Sequence, residues 1–310
     1  MKKILLAALM PLLAGCIQED LSNCISKPIE NVTIRFNLIT QNQFIATINR
    51  VELFIFNDAG KQVSRHTILQ SELAQFAGRR LTLDPGNYTV IAWANASPLH
   101  TQFFTNEQAH YDDHAKNYLL TAIAAGGIVE DGDPLYWGPV TKGAPFSLTV
   151  PVEGYVDVVI RLRNAHVKVE VTVEGYDHLS SRTGANPLMI ELTQITSRYS
   201  LQMEPHGDNV SYLHDAPNID PVNKIFNTTF NVPVFDGNTP TMVRITNSDG
   251  VLIVSAISLR ELLKDLNKVE IAELAYLPIR VIFTEKDGNL QVTVKVDLPE
   301  WGEDIVKPNI

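Results

Sequence analysis

Beyond residue 30 the apolar positions recur mostly every second residue, the period of a strand with one buried face. Val32, Ile34, Phe36 and Leu38 alternate with polar residues. Val51, Leu53 and Ile55 repeat the pattern, with Phe54 and Phe56 on the opposite face, before Asn57-Asp58-Ala59-Gly60 turns the chain. Residues 71–76 read as a single helical turn. Leu81 and Leu83 lead into Asp84-Pro85-Gly86-Asn87, a strong turn signal, and Tyr88 to Trp93 follows as an apolar strand. Residues 97–135 are the least regular stretch and read as a long connection with a short helix at 105–116. Leu135 to Gly138 and Phe146 to Val150 restore strand character.

Val156 to Leu162, Val167 to Val173 and Leu188 to Leu192 are again strongly β. Residues 203–223, rich in Pro, Asp, Asn and His, read as a loop. Thr229 to Val234 reads as a strand, and Met242 to Thr246 with Val251 to Ala256 as a hairpin around Asn247-Ser248-Asp249-Gly250. One helix stands out. Ser258 with Glu261 three residues on is a capping box, and Leu259, Leu262, Leu263 and Leu266 form its apolar face. A last hairpin turns at Lys286-Asp287-Gly288-Asn289. Its second arm has the cleanest alternation in the chain: Leu290, Val292, Val294, Val296 and Leu298 against Gln291, Thr293, Lys295 and Asp297. The sum is a mainly β protein of two tandem β-sandwich domains, 31–151 and 152–310, with one short helix late in the second and the break at Pro151 to Gly154.

The first thirty residues differ in kind. Met1-Lys2-Lys3 is a positive start, Ile4 to Leu13 is apolar, and Leu13-Ala14-Gly15-Cys16 ends the run with small residues. That run is too short for a transmembrane helix, which needs about 20 apolar residues, and fits a signal peptide at 1–15. Leu-Ala-Gly-Cys looks like a bacterial lipobox. It makes Cys16 the residue that carries S-diacylglycerol and, after cleavage, an N-palmitoyl chain, with 16–30 as a lipidated tether.

Composition narrows the function. The formal charge of the 310 residues is −10, and loss of Lys2 and Lys3 with the signal peptide makes it −12. Such acidity argues against nucleic acid and against basic-patch binding to lipid. Of the two cysteines, Cys16 is committed to lipid, so Cys24 has no partner for an internal disulfide. His110 and His114 are spaced for zinc on a helix, but Tyr111 stands where a zincin needs glutamate. Glu130-Asp131-Gly132-Asp133 lacks the closing glutamate of a helix-loop-helix calcium site. There is no nucleophile elbow, phosphate loop or dinucleotide fingerprint. The reading is therefore a non-enzyme without cofactor, metal or small-molecule substrate. Trp93, Trp137 and Trp301 would suit either a sugar platform or core packing, and Trp93, among Val90, Ile91 and Ala92, suits the core.

Several ordered fragments resemble one family. Cys16-(x)3-Asp20-(x)3-Cys24 after the lipobox, Val51-Glu-Leu-Phe-Ile-Phe56-Asn-Asp-Ala-Gly60, Leu83-Asp-Pro-Gly86-Asn-Tyr88-Thr-Val-Ile-Ala-Trp93-Ala-Asn95 and Val158-Val-Ile-Arg161-Leu-Arg163-Asn-Ala-His-Val-Lys168 are similar to stretches of the Bacteroidales type V pilus anchor lipoproteins. Gln18, Glu19 and Asp20 resemble the surface-export tract of lipoproteins from that order. The resemblance implies two transthyretin-like, Greek-key-type sandwiches, lipid-anchored in the cell outer membrane and exposed at the surface. It also implies fimbrial stalk or accessory pilin subunits as partners, and termination of pilus assembly by β-strand complementation. Leu290 to Leu298 is the candidate groove or donor strand. The alternative is a surface glycan-binding lipoprotein of a polysaccharide-uptake system.

Overall fold

A computed structural model describes residues 30–39, 44–121, 127–138, 146–178, 188–214, 218–220, 222–235, 240–247, 250–253, 256–263 and 275–297. Cys16, Gln18, Glu19, Asp20, Cys24, Leu298 and Trp301 lie outside them. The described chain is mainly β, in two layered sandwiches, with three short helices.

The first sandwich uses β1 (Val32–Leu38), β2 (Arg50–Asn57), β3 (Gln62–Leu69), β4 (Gly78–Leu81), β5 (Gly86–Ala94), β9 (Tyr136–Gly138), β10 (Phe146–Val150) and β11 (Val156–Asn164). The strand order is β3-β2-β5-β9-β11-β1-β4, with β10 also paired to β5. Helices α1 (Phe44–Thr47) and α2 (Gln70–Gln75) connect strands. The alternating residues do what the period requires. Val32, Ile34, Phe36 and Leu38 meet Val51, Leu53 and Ile55 in one core, closed by Val90, Ala92, Ile160 and Leu162.

The second sandwich sets a five-stranded sheet, β15 (Asn218–Asp220), β16 (Ile225–Pro233), β12 (His166–Glu174), β19 (Tyr276–Lys286) and β20 (Asn289–Val296), against a seven-stranded one. The latter runs β18 (Ile257–Ser258), β17 (Met242–Thr246), β13 (Met189–Ser200), β14 (Pro205–His214) and β8 (Ile128–Val129), with β7 (Tyr118–Thr121) joined to β13 and β6 (Thr101–Phe104) to β7. Helix α3 (Leu259–Leu263) shows one half of the predicted capping box, the Glu261 N–H donating to the Ser258 hydroxyl at 3.3 Å, and Leu266 lies outside the described residues.

Three expectations change. Pro151 to Gly154 is not where the sheets part. It is the turn between β10 and β11, and β11 returns to pair in parallel with β1; the chain crosses to the second sandwich earlier, for β6, β7 and β8, and finally leaves the first at Ala165. Residues 105–116 form turns rather than a helix, held by side chains: Asn117 accepts from the Asn106 N–H and donates to the His110 carbonyl. Residues 205–214 form strand β14 rather than a loop. Polar residues occur there because much of the strand faces solvent, while Val210 and Tyr212 supply its buried side.

The two sandwiches share a core. Phe54, Phe56, Ile91 and Trp93, on the outer face of β2 and β5, pack with Val167, Val169, Ile190 and Leu192 of the second sandwich. Trp93 and Trp137 are cross-strand partners, and both indole N–H groups donate to the Leu201 carbonyl, at 3.0 and 2.8 Å. Leu201 sits in the β13–β14 turn, whose Gln202 and Glu204 N–H groups donate to the Ser200 hydroxyl. Two buried donors thus converge on one turn and pin it to the first sandwich. Trp137→Ala is expected to cost about 3–5 kcal/mol in urea unfolding. Trp137→Phe, which keeps most of the volume and leaves Trp93 donating, is expected to cost about 1–2 kcal/mol.

Candidate functional site

The last described strand has an open edge. Asp287 and Gly288 both have positive φ, 54° and 72°, as a two-residue hairpin turn requires, and they set Lys286 opposite Asn289. The ladder then runs from Asn289 to Val296 against β19 without a bulge. Its phase is fixed at the far end, where the Asp297 N–H donates to the Pro278 carbonyl at 3.1 Å. Bonded and non-bonded pairs alternate along an antiparallel ladder. Gln291, Thr293, Lys295 and Asp297 therefore bond inward to β19. Leu290, Val292, Val294 and Val296 direct their N–H and C=O groups to the outer edge, which no described strand occupies.

The same four residues carry the apolar face. Leu290, Val294 and Val296 are half-buried on the second core, and Val292 is 41% exposed. Arg280 holds the end of the strand by pairing with Asp297 at 2.6 Å and with Glu174 at 3.2 Å. Edge strands are ordinarily guarded by prolines, bulges or inward charges. Among the described residues of β20 there is no proline and no inward charge, and Lys295 is its only charged side chain. The other edge strand of this length, β3, carries a register irregularity against β2. The edge strands β4, β15 and β18 are four residues or fewer.

The features that suggested chemistry have structural occupations. His110 pairs with Asp112, and His114 with Glu204 at 3.4 Å, not with each other on a helix face. Among the described residues no group of three or more metal-type ligands gathers. Asp131 accepts from the Gly132 N–H, and the buried Asp133 accepts from the Ser97 N–H at 2.7 Å. Trp93 and Trp137, 1% and 0% exposed, present no platform to a sugar.

The buried carboxylate of Glu52 was not singled out by its sequence context. Arg50 and Arg65 pair with it at 2.8 and 3.1 Å, and the Thr67 hydroxyl donates to it. Beside it lies a cavity of about 290 Å³ walled in part by Gln102, Phe103 and Phe104. Arg65 stacks between Phe54 and Phe103, so the network closes the joint between β3 and β6. A single glutamate inside an apolar strand was the available signal, visible only once β3 is known to lie alongside.

His166 lies near the change of sheet. Burial lowers its pKa from 6.5, opposed by the hydrogen bond to the Leu135 carbonyl. A histidine held neutral binds fewer protons folded than unfolded just below pH 6.5. Stability is therefore expected to fall as pH drops from 6.5 through the lowered folded pKa. His166→Gln should flatten that part of a melting-temperature profile.

The chain is mainly β in two sandwiches, and among the described residues the outer edge of β20 is open; relatives narrow the class. Residues 21–307 match the family described as fimbrillin-A associated anchor proteins Mfa1 and Mfa2, and the chain belongs to that family. It is 25% identical over 248 residues to the major fimbrium anchoring subunit FimB of Porphyromonas gingivalis strain W83, covering 76% of this chain and 75% of the relative. Similar solved folds include the fimbrial anchor protein Mfa2 of Porphyromonas gingivalis, with TM-score 0.59 and 14% identity over 86% of this chain and 96% of the other. A putative adhesin from Bacteroides ovatus superposes with TM-score 0.68 and 13% identity over 87% of this chain and 93% of the other. A putative polysaccharide binding protein from Bacteroides thetaiotaomicron gives 0.66 and 16%, over 86% and 95%.

Proposed function

We propose that this chain is an outer-membrane lipoprotein that anchors a fimbrium to the cell surface and terminates its assembly by β-strand complementation. The observation that carries the proposal is the open edge of β20 in a member of a fimbrial anchor family. A partner strand laid along it would find four residues' worth of outward N–H and C=O groups for affinity. The half-covered row of Leu290, Val292, Val294 and Val296 would supply specificity. The partner is a fimbrial stalk or accessory subunit. The opposite end of the chain carries the attachment: cleavage after Gly15 leaves Cys16 acylated, with Gln18, Glu19 and Asp20 directing it to the surface. No helix among the described residues is long and apolar enough to cross a membrane. No catalytic role is assigned. A glycan-binding role would need an exposed aromatic platform, and Trp93 and Trp137 are committed to the core instead.

Deletion of the gene is the test. Fimbriae are expected to lengthen and to appear in the culture medium. Normal, cell-bound fimbriae in a strain without a second anchor gene would overturn the proposal.

A further inference from the structure

The sheet face nearest the tether differs in charge from the rest of the chain. Strand β1 leaves the tether at Asn31, which is clamped on both sides. Its N–H donates to the Leu81 carbonyl at 3.0 Å, its carbonyl accepts from the Val156 N–H at 2.9 Å, and its side chain bonds the backbone of Leu83. In β1 the core takes Val32, Ile34, Phe36 and Leu38, so Thr33, Arg35 and Asn37 face outward. The register sets Asp157, Val159 and Arg161 beside them on β11, and Arg80 beside Thr33 on β4.

That outer face carries three arginines, Arg35, Arg80 and Arg161, all exposed, against one carboxylate, Asp157, which pairs with Arg35 at 2.8 Å. Its formal charge is +2 (three minus one) on a chain of −10. Glu30 precedes β1 and Glu153 lies in the turn before β11, both exposed. The arginines Arg35 and Arg80 lie over the Phe76 ring at 5.4 and 5.0 Å. Exposed apolar groups adjoin them. Tyr155 is 55% exposed, its hydroxyl bonded to Thr33, Val159 is 48% exposed and Val152, in the preceding turn, 84%. Arginine, tyrosine and aliphatic side chains are the mixture that suits a headgroup layer, where charged tips meet phosphate and rings sit at the boundary.

We propose that this face of the β4–β1–β11 sheet seats on the bilayer surface, its arginines on lipid phosphates. The inference rests on the lipidation of Cys16. The thirteen residues 17–29 reach at most roughly 45 Å at about 3.5 Å each, so the lipid keeps β1 near the bilayer without fixing its orientation. The seat supplies the orientation. It presents one face of the first sandwich to lipid and leaves the second sandwich, with β20, free for a partner. Overall acidity does not forbid this, because a headgroup senses charges within about a Debye length, 8 Å at physiological salt.

The test uses lipidated, full-length protein on phosphatidylcholine–phosphatidylglycerol vesicles with brominated acyl chains, which quench tryptophan at the headgroup boundary. Tyr155→Trp is expected to be quenched. Val222→Trp, 83% exposed on the second sandwich, is expected not to be. The triple substitution Arg35→Gln, Arg80→Gln, Arg161→Gln should abolish the Tyr155→Trp quenching. It should also weaken binding of the unlipidated Cys16→Ala chain roughly a hundredfold, at about fivefold per arginine. Melting curves show whether each variant is folded. Equal quenching at both sites, or none at residue 155 while the protein still pellets with vesicles, would overturn the seat and leave the lipid anchor standing. Failure to pellet at all would overturn both.

Discussion

Cys16→Ala is expected to move the protein almost completely from the membrane fraction to the soluble fraction. Each acyl methylene buried in a bilayer contributes about 0.8 kcal/mol, and one myristoyl-sized chain gives only marginal, reversible binding. Several chains on one residue give attachment that survives washing, and losing all of them removes it. The seat on β1, β4 and β11 adds a weak, salt-sensitive contact that cannot replace the lipid. Folding is expected to be intact, since the core residues of β1 begin at Val32, beyond the tether. Fractionation of cells at high salt, with circular dichroism of the soluble variant, checks both halves. Retention of Cys16→Ala in the washed membrane fraction would contradict the lipid reading.

The second large effect is expected at β20. Val292 directs its N–H outward and is 41% exposed. Proline there removes a donor that the protein's own sheet does not use, and proline is tolerated on an edge strand for that reason. Val292→Pro is therefore expected to shift the melting temperature by only a few degrees, corresponding to about 1 kcal/mol, while capture of the fimbrial subunit drops at least tenfold. Thr293→Pro is the contrast. Its N–H belongs to the ladder with β19, so it should destabilise the second sandwich itself. Equal loss of capture and stability in both variants would show that the outer edge is not the docking surface.

Much of this was legible in the sequence. The alternation of Leu290 to Val296 and the Asp-Gly turn before it identify the hairpin, because both are local signals. Ser258 and Glu261 likewise mark α3. Apolar residues on both faces of residues 51–56 mark a strand between two layers, and the structure supplies those layers. Non-local features were not legible. Pro151 to Gly154 has the composition of a boundary, yet it only reverses the chain within one sheet system. The parallel pairing of β1 with β11 joins residues more than a hundred positions apart and leaves no local trace. Residues 101–129 look like a connection because β6, β7 and β8 are short, and β7 and β8 find partners far along the chain in β13 and β14. Within the site, the alternation was visible but the openness of the edge was not, since an absent neighbour depends on where every other strand goes. The positive face around Arg35 was hidden by the overall charge of −10, because its arginines come from three strands scattered along the chain.

The central claim is that a fimbrial subunit adds a strand along β20. A photo-crosslinking amino acid at Val292, in cells assembling fimbriae, tests it most directly. The account predicts a single adduct heavier by one fimbrial subunit, absent when the crosslinker stands at Val63 on the edge strand β3. An adduct from Val63 and none from Val292 would contradict it.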